Sequence, residues 1–234
     1  MPYVRKSISK KARASRRRSA PLNKKIANIA KTVALRQLET KHAAQSYANR
    51  ELYHNNAYNI TPNLINIQQG VQDHAHRIGD EVTLRGIKLY MKFEDKWDRP
   101  NTNYRVVVAK CRQGVAGNLS LPIKVITGNA SFDPVDMEQL MKVYVNRTYR
   151  FGDKNTFIDT TGGAQTANNP RTTHFRKLWI PLNNVKYKFV NQNTSQGTAY
   201  NIACWVAAYD ASTELTTDNI GSIQIIGEVF FKDG

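Results

Sequence analysis

Glu81-Val82-Thr83-Leu84-Arg85-Gly86-Ile87-Lys88-Leu89-Tyr90-Met91-Lys92-Phe93 reads as one long β-strand with a fault in its middle. Val82 and Leu84 alternate with polar neighbours, which puts them on one side. Beyond Gly86 the apolar set is Ile87, Leu89, Met91 and Phe93, of the opposite parity. A period of two changes parity when one residue is inserted, and Gly86 is where a β-bulge forms at least steric cost. With the bulge, one face stays apolar along the whole strand. The loop Glu94–Asn103, with Pro100, ends it.

Downstream, Tyr104–Cys111 is apolar on both faces through Val106, Val107, Val108 and Ala109, the pattern of a central strand covered twice. A long connection follows over 112–141, where Asp133 and Pro134 suit the cap and first position of a short helix. Val143–Phe151 alternates again, with Val143, Val145, Tyr149 and Phe151 on one face. Residues 152–173 read as a loop rich in Gly, Asn and Thr. Phe175–Ile180 and Val185–Val190 read as two strands around Pro181-Leu182-Asn183-Asn184. Tyr200–Tyr209 and Ser222–Phe231 close the series, the last with Ile223, Ile225, Val229 and Phe231 on one side. Upstream, a first strand is expected near Ala43–Tyr53. A polar connection with Pro62 and a short apolar piece, Leu64–Ile67, come next.

Eight principal strands in one domain, with long loops and almost no interior helix, exclude a parallel α/β sheet. The expected fold is all-β, a single eight-stranded antiparallel jelly-roll sandwich over residues 42–234. The rival, a lipocalin-type barrel, joins its strands mostly by tight hairpins, which the connections at 112–141 and 152–173 do not match.

Residues 1–41 have a different texture. They hold 13 of the 34 Lys and Arg and one acid, Glu39, a charge of +12; residues 42–234 carry 21 Lys and Arg and 17 acids, a charge of +4. The candidate nucleic-acid contacts are Arg5, Lys6, Lys10, Lys11, Arg13, Arg16, Arg17, Arg18, Lys24, Lys25 and Lys31. Such a block repels itself and has little apolar surface to bury, so it reads as a disordered basic arm that needs a polyanion. Leu22, Ile26, Ile29 and Val33 form an apolar stripe at helical spacing within Leu22–Leu38, with Lys24 and Lys31 opposite. That helix either forms only against a partner or nucleic acid or packs on the domain. Lys10-Lys11 and Arg16-Arg17-Arg18 also have the composition of a nuclear import signal, for host import receptors.

Other chemistry is thin. Cys111 and Cys204 each sit in an apolar run and read as buried thiols. No stretch is long and apolar enough for a membrane helix, so no membrane insertion is expected, and the basic N-terminus has no apolar run behind it to make a secretory signal. His74 and His76 are spaced to share a strand face. Tyr3-Val4-Arg5-Lys6 fits the nucleophile pattern of rolling-circle endonucleases, but it precedes the histidines and no phosphate loop exists. Glu94, Asp95 and Asp98 cluster beside Lys96 and Arg99, which suits a solvated loop better than a calcium site. Asp159-Thr160-Thr161-Gly162-Gly163 reads as a turn. No catalytic constellation, cofactor or metal site is expected, and the chain reads as a non-enzyme. Arg176–Trp179 is the one place where aromatic and basic residues interleave as they do in single-strand binders.

Gln69-Gly70 and Arg77-Ile78-Gly79-Asp80-Glu81-Val82-Thr83-Leu84-Arg85-Gly86-Ile87-Lys88-Leu89 resemble the stretch leading into and through the third-named strand (C) of capsid proteins of circular Rep-encoding single-stranded DNA viruses. Tyr104–Ala109 resembles the strand after it. The specific part of the resemblance spans Gln69 to Cys111. It implies a jelly-roll coat subunit, a T=1-like icosahedral shell of about sixty copies, and an arm inside the virion on a single-stranded DNA genome. The basic runs at Lys10–Arg18 permit passage through the host nucleus during assembly. The alternatives are a non-assembling nucleic-acid-binding β-module with a basic tail and the coat protein of a small satellite-type RNA virus, which shares arm and fold.

Overall fold

The computed structural model describes residues 22, 24–30, 33, 39–70, 75–96, 99, 102–112, 123–124, 126–138, 140–151, 173–190, 197–211 and 213–233. The chain divides into two units, Met1–Thr40 and Lys41–Gly234. In the first, residues 22, 24–30 and 33 are helical, and Leu22, Ile26, Ile29 and Val33 are all exposed. The expected disorder of residues 1–21 and the end of the helical pattern at 34–38 lie outside the described residues.

The second unit is built of strands β1 (Lys41–Tyr53), β2 (Asn56–Thr61), β3 (Glu81–Asp95), β4 (Thr102–Arg112), β5 (Leu140–Arg150), β6 (Thr173–Lys188), β7 (Tyr200–Asp210) and β8 (Asn219–Asp233). They form two four-stranded antiparallel sheets, ordered β1-β8-β3-β6 and β2-β7-β4-β5. The pairs β1–β8, β2–β7, β3–β6 and β4–β5 are those of one long antiparallel ribbon folded in half. Rolling that ribbon brings β3 against β8 and β4 against β7, which produces the two sheets. This is the jelly roll.

Glu81–Phe93 behaves as its alternation requires. Val82, Leu84, Ile87, Leu89, Met91 and Phe93 are all buried in the core between the sheets, and β3 shifts register between Leu84 and Gly86 against both neighbours. Gly86 is needed for a second reason. A Cβ there would lie 2.3 Å from Cζ2 of Trp179 and 2.9 Å from the Ile180 carbonyl oxygen, so the indole lies directly over the bulge.

Ahead of β3, the chain from Leu64 to Ile67 is irregular yet buried, and it is tied down by polar groups. Asn63 donates to the Ile65 carbonyl and the Tyr187 hydroxyl and accepts from the Ile65 and Ile202 amides. Tyr187 in turn donates to Asn201 Oδ1 at 3.2 Å. Arg77, fully buried, donates to the Ile67 and Gly79 carbonyls and lies 4.0 Å from the Phe189 ring centroid. Arg77 thereby fixes where β3 begins.

Four expectations need correction. β2 replaces part of what reads as a polar connection. Asn56–Thr61 is an edge strand, mostly half-buried, so only Thr61 of its six residues is buried and no full apolar alternation develops. The two strands expected at Phe175–Ile180 and Val185–Val190 are one, β6. Asn183 and Asn184 do take left-handed φ values of 54° and 59°, but the chain resumes pairing with β3 instead of turning away. Leu84 faces Val185 and Gly86 faces Pro181, so Leu182–Asn184 bulge opposite the single residue Arg85. In β5, Val143 and Val145 face opposite sides, because a register shift falls between their partners Ala109 and Val108. Asp133 caps no helix. Its carboxylate accepts from the Ile126, Thr127 and Gly128 amides and the Thr127 hydroxyl and holds a loop.

Candidate nucleic-acid interface

Of the arm residues singled out in the sequence, Lys24 and Lys25 lie on the helix of the first unit and are exposed. Arg5, Lys6, Lys10, Lys11, Arg13, Arg16, Arg17, Arg18 and Lys31 lie outside the described residues. Lys41, the last residue of the basic segment, opens β1 and pairs with Asp233 at 2.7 Å.

Within the jelly roll, the outer faces of the two sheets differ. Behind β2-β7-β4-β5, Val107, Ala109, Cys111, Ala203 and Trp205 form a second apolar cluster with Val135 and Leu140. The segment around Ile123–Val135 lies over it. Arg105, buried, holds that segment by donating to the Ala130 and Asp133 carbonyls, and donates to Asn146 Oδ1 at 2.8 Å. This explains the double-faced apolar pattern of β4.

The outer face of β1-β8-β3-β6 has no such cover among the described residues. Its outward side chains on β3 and β6 meet in register: Lys88 faces Trp179, Tyr90 faces Lys177, and Lys92 faces Phe175. Phe175 is 59% exposed and Trp179 is 50% exposed. The Trp179 ring meets Phe230 of β8 edge-on at 5.4 Å. The Lys88 and Lys177 ammonium groups stand 4.9 and 5.6 Å from the Tyr90 ring centroid. A hydrogen bond with the Tyr90 hydroxyl raises the Lys88 pKa above its ordinary value. Lys92 pairs with Glu94 at 2.5 Å and holds that carboxyl below the usual range. Lys186 ion-pairs with Glu81, while Lys188 is exposed at the strand end. Sequence reading picks out Arg176–Trp179 but misses Lys88, Tyr90 and Lys92, because their adjacency to it depends on which strand pairs with which.

The acidic candidates do not form a cluster among the described residues. Glu94 and Asp95 do not converge, since neighbours on a strand point to opposite sides. Glu94 turns to Lys92 and Ser222, and Asp95 is buried 3.5 Å from His174. Asp98, His74 and Asp159–Gly163 lie outside the described residues. No group of three or more His, Cys, Asp or Glu suited to a metal ion occurs among the described residues. Cys111 and Cys204 are free and buried on opposite faces of the same sheet. Burial pushes their thiols up to about 11 and about 12. No helix of the described residues is long and apolar enough to cross a membrane.

No family model matches the chain, and no curated protein matches it. Among solved structures, the chain is similar to one from Desmodium yellow mottle tymovirus, with 9% identity over 84% of this chain and 82% of that one and a TM-score of 0.35.

Proposed function

We propose that this protein is a viral capsid subunit that assembles into a small icosahedral shell and packages single-stranded DNA through its N-terminal arm. The observation that carries the reading is the pairing of a basic segment of +12 with a jelly-roll domain of only +4. An enzyme with a basic cleft would spread such charge through its fold. A closed shell multiplies each arm. About sixty copies would bring roughly 700 positive charges inside, each able to offset one phosphate. Phosphates carry no base identity, so this packaging is sequence-tolerant and weakens with salt. The choice of DNA over RNA rests on the resemblance of the 77–89 stretch, and passage through the host nucleus on the basic runs at Lys10–Arg18. The protein acts in this reading as a structural component of the virion, with other copies of itself and the genome as partners.

Electron microscopy of the purified full-length protein, with absorbance at 260 and 280 nm taken on the same fraction, tests this directly. Closed particles about 20 nm across with nucleic-acid absorbance are expected. A small species that stays monomeric or dimeric at low salt with added single-stranded DNA would overturn assembly and leave a non-assembling binding module.

A further inference from the structure

The outer face of β1-β8-β3-β6 holds more than a scatter of surface lysines. At three successive outward positions, each cross-strand pair consists of one lysine and one aromatic ring, and the ring alternates between strands: Trp179 on β6, Tyr90 on β3, Phe175 on β6. Exposed rings next to lysines serve neither a core nor an ordinary solvated face. Two carboxylates share the face: Glu228 of β8, opposite Lys88, accepts from the Tyr90 hydroxyl at 3.4 Å, and Glu94 pairs with Lys92, so Lys88 and Lys177 are the cations beside the Tyr90 ring. The fitting partner is anionic and carries flat apolar surfaces at intervals.

We propose that this face is a stacking platform for single-stranded DNA, with Trp179, Tyr90 and Phe175 taking bases and Lys88 and Lys177 taking phosphates. The identification of the strand as DNA rests on the packaging reading above; the stacking does not. Outward positions on a strand recur about every 6.7 Å, twice the ~3.4 Å rise of stacked bases. The platform therefore suits a strand whose bases are spread apart, and a duplex, whose bases are stacked on each other, does not offer them. Between the rings, Tyr90, Lys92, Phe175, Lys177 and Ile226 line an open depression of about 160 Å³. That is comparable with the ~150 Å³ that holds a benzene ring in a protein interior. Gly86 gives the platform its fixed end: only a residue without Cβ leaves room for the Trp179 ring, which Phe230 backs from β8.

The test uses unassembled full-length protein and two oligonucleotides of equal length and charge, oligo-dT and its abasic counterpart. Binding is followed by fluorescence polarisation at about 0.1 M and about 1 M salt, between which the screening length falls from about 10 Å to about 3 Å. Phosphate contacts by arm and face weaken together, whereas stacking persists. At high salt oligo-dT should bind about tenfold or more tighter than the abasic strand. Trp179→Ala and Phe175→Ala should each reduce that preference several-fold without changing affinity for the abasic strand. Trp179→Phe, which keeps a ring over Gly86, should retain most of it. Duplex DNA should behave as the abasic strand does. Equal binding of the two single strands, binding of neither at high salt, or an unchanged preference in both alanine variants would each overturn the platform. Failure of the wild-type protein to bind the abasic strand at low salt would instead remove the arm-based packaging reading.

Discussion

Gly86 concentrates the physics of this domain at one residue. It absorbs the inserted residue of β3 and leaves the space that Trp179 fills. Gly86→Ala forces a choice between moving a half-exposed indole and moving the Ile180 backbone. We expect a loss of about 1–3 kcal/mol, read as a lower urea midpoint with unchanged slope. Tryptophan emission should shift toward that of a more exposed ring. The cysteines offer a second measurement at this scale. With both thiols buried and their pKa values raised, native protein at pH 8 should react with a thiol reagent only as fast as it opens, and both should react at once in denaturant. Rapid labelling of native protein would contradict the placement of Cys111 and Cys204 on the two apolar faces.

The elements divide into those visible in the chain and those settled by contact. β3, β4, β7 and β8 declare themselves because each buries a regular set of apolar residues. β2 does not, because an edge strand needs little apolar surface and takes its order from β7. The loop over the second sheet is an element of another kind, held by Asp133 and Arg105. Burial pushes the Asp133 carboxyl up, but hydrogen bonds from Thr127, Ile126 and Gly128 outweigh it and hold the group below the usual carboxylate range. A lowered folded pKa stabilises above the unfolded value of about 3.9, and that contribution is lost as pH falls through the folded value. Protection of the amides at residues 126–133, taken relative to the unfolded chain at the same pH, should therefore fall below about pH 4, ahead of global unfolding. Asp133→Asn should show low protection at neutral pH and little further loss in acid. Protection there that is the same at neutral and acid pH and in both proteins would refute the cap.

At the scale of the whole molecule, the two units carry different parts of the proposed work. Deleting residues 1–40 leaves Lys41 and its pairing with Asp233 in place, so β1 keeps its end. The truncated protein should unfold cooperatively with a midpoint close to that of the full chain. It should retain far less nucleic acid on purification, with a shallower dependence of binding on salt. Full retention by the truncated protein at low salt, where arm phosphate contacts are strongest, would move the packaging role from the arm to the sheet.

The amino-acid sequence by itself determined that the domain is made of strands, where β3 bulges, which residues of β3 and β8 face inward, and that one end carries most of the charge. These are local properties: alternation follows from the geometry of each strand, and charges add wherever they lie. Only the tertiary structure decided that β3 lies between β8 and β6, that Val185 resumes the strand begun at Thr173, and that Asn56–Thr61 joins a sheet. The same pairing set Lys88, Tyr90 and Lys92 beside Trp179, Lys177 and Phe175. A period of two tells which residues share a face, but hydrogen-bonding edges are alike on every strand. The choice of neighbour is made by how the whole ribbon rolls to bury its two inner faces against each other.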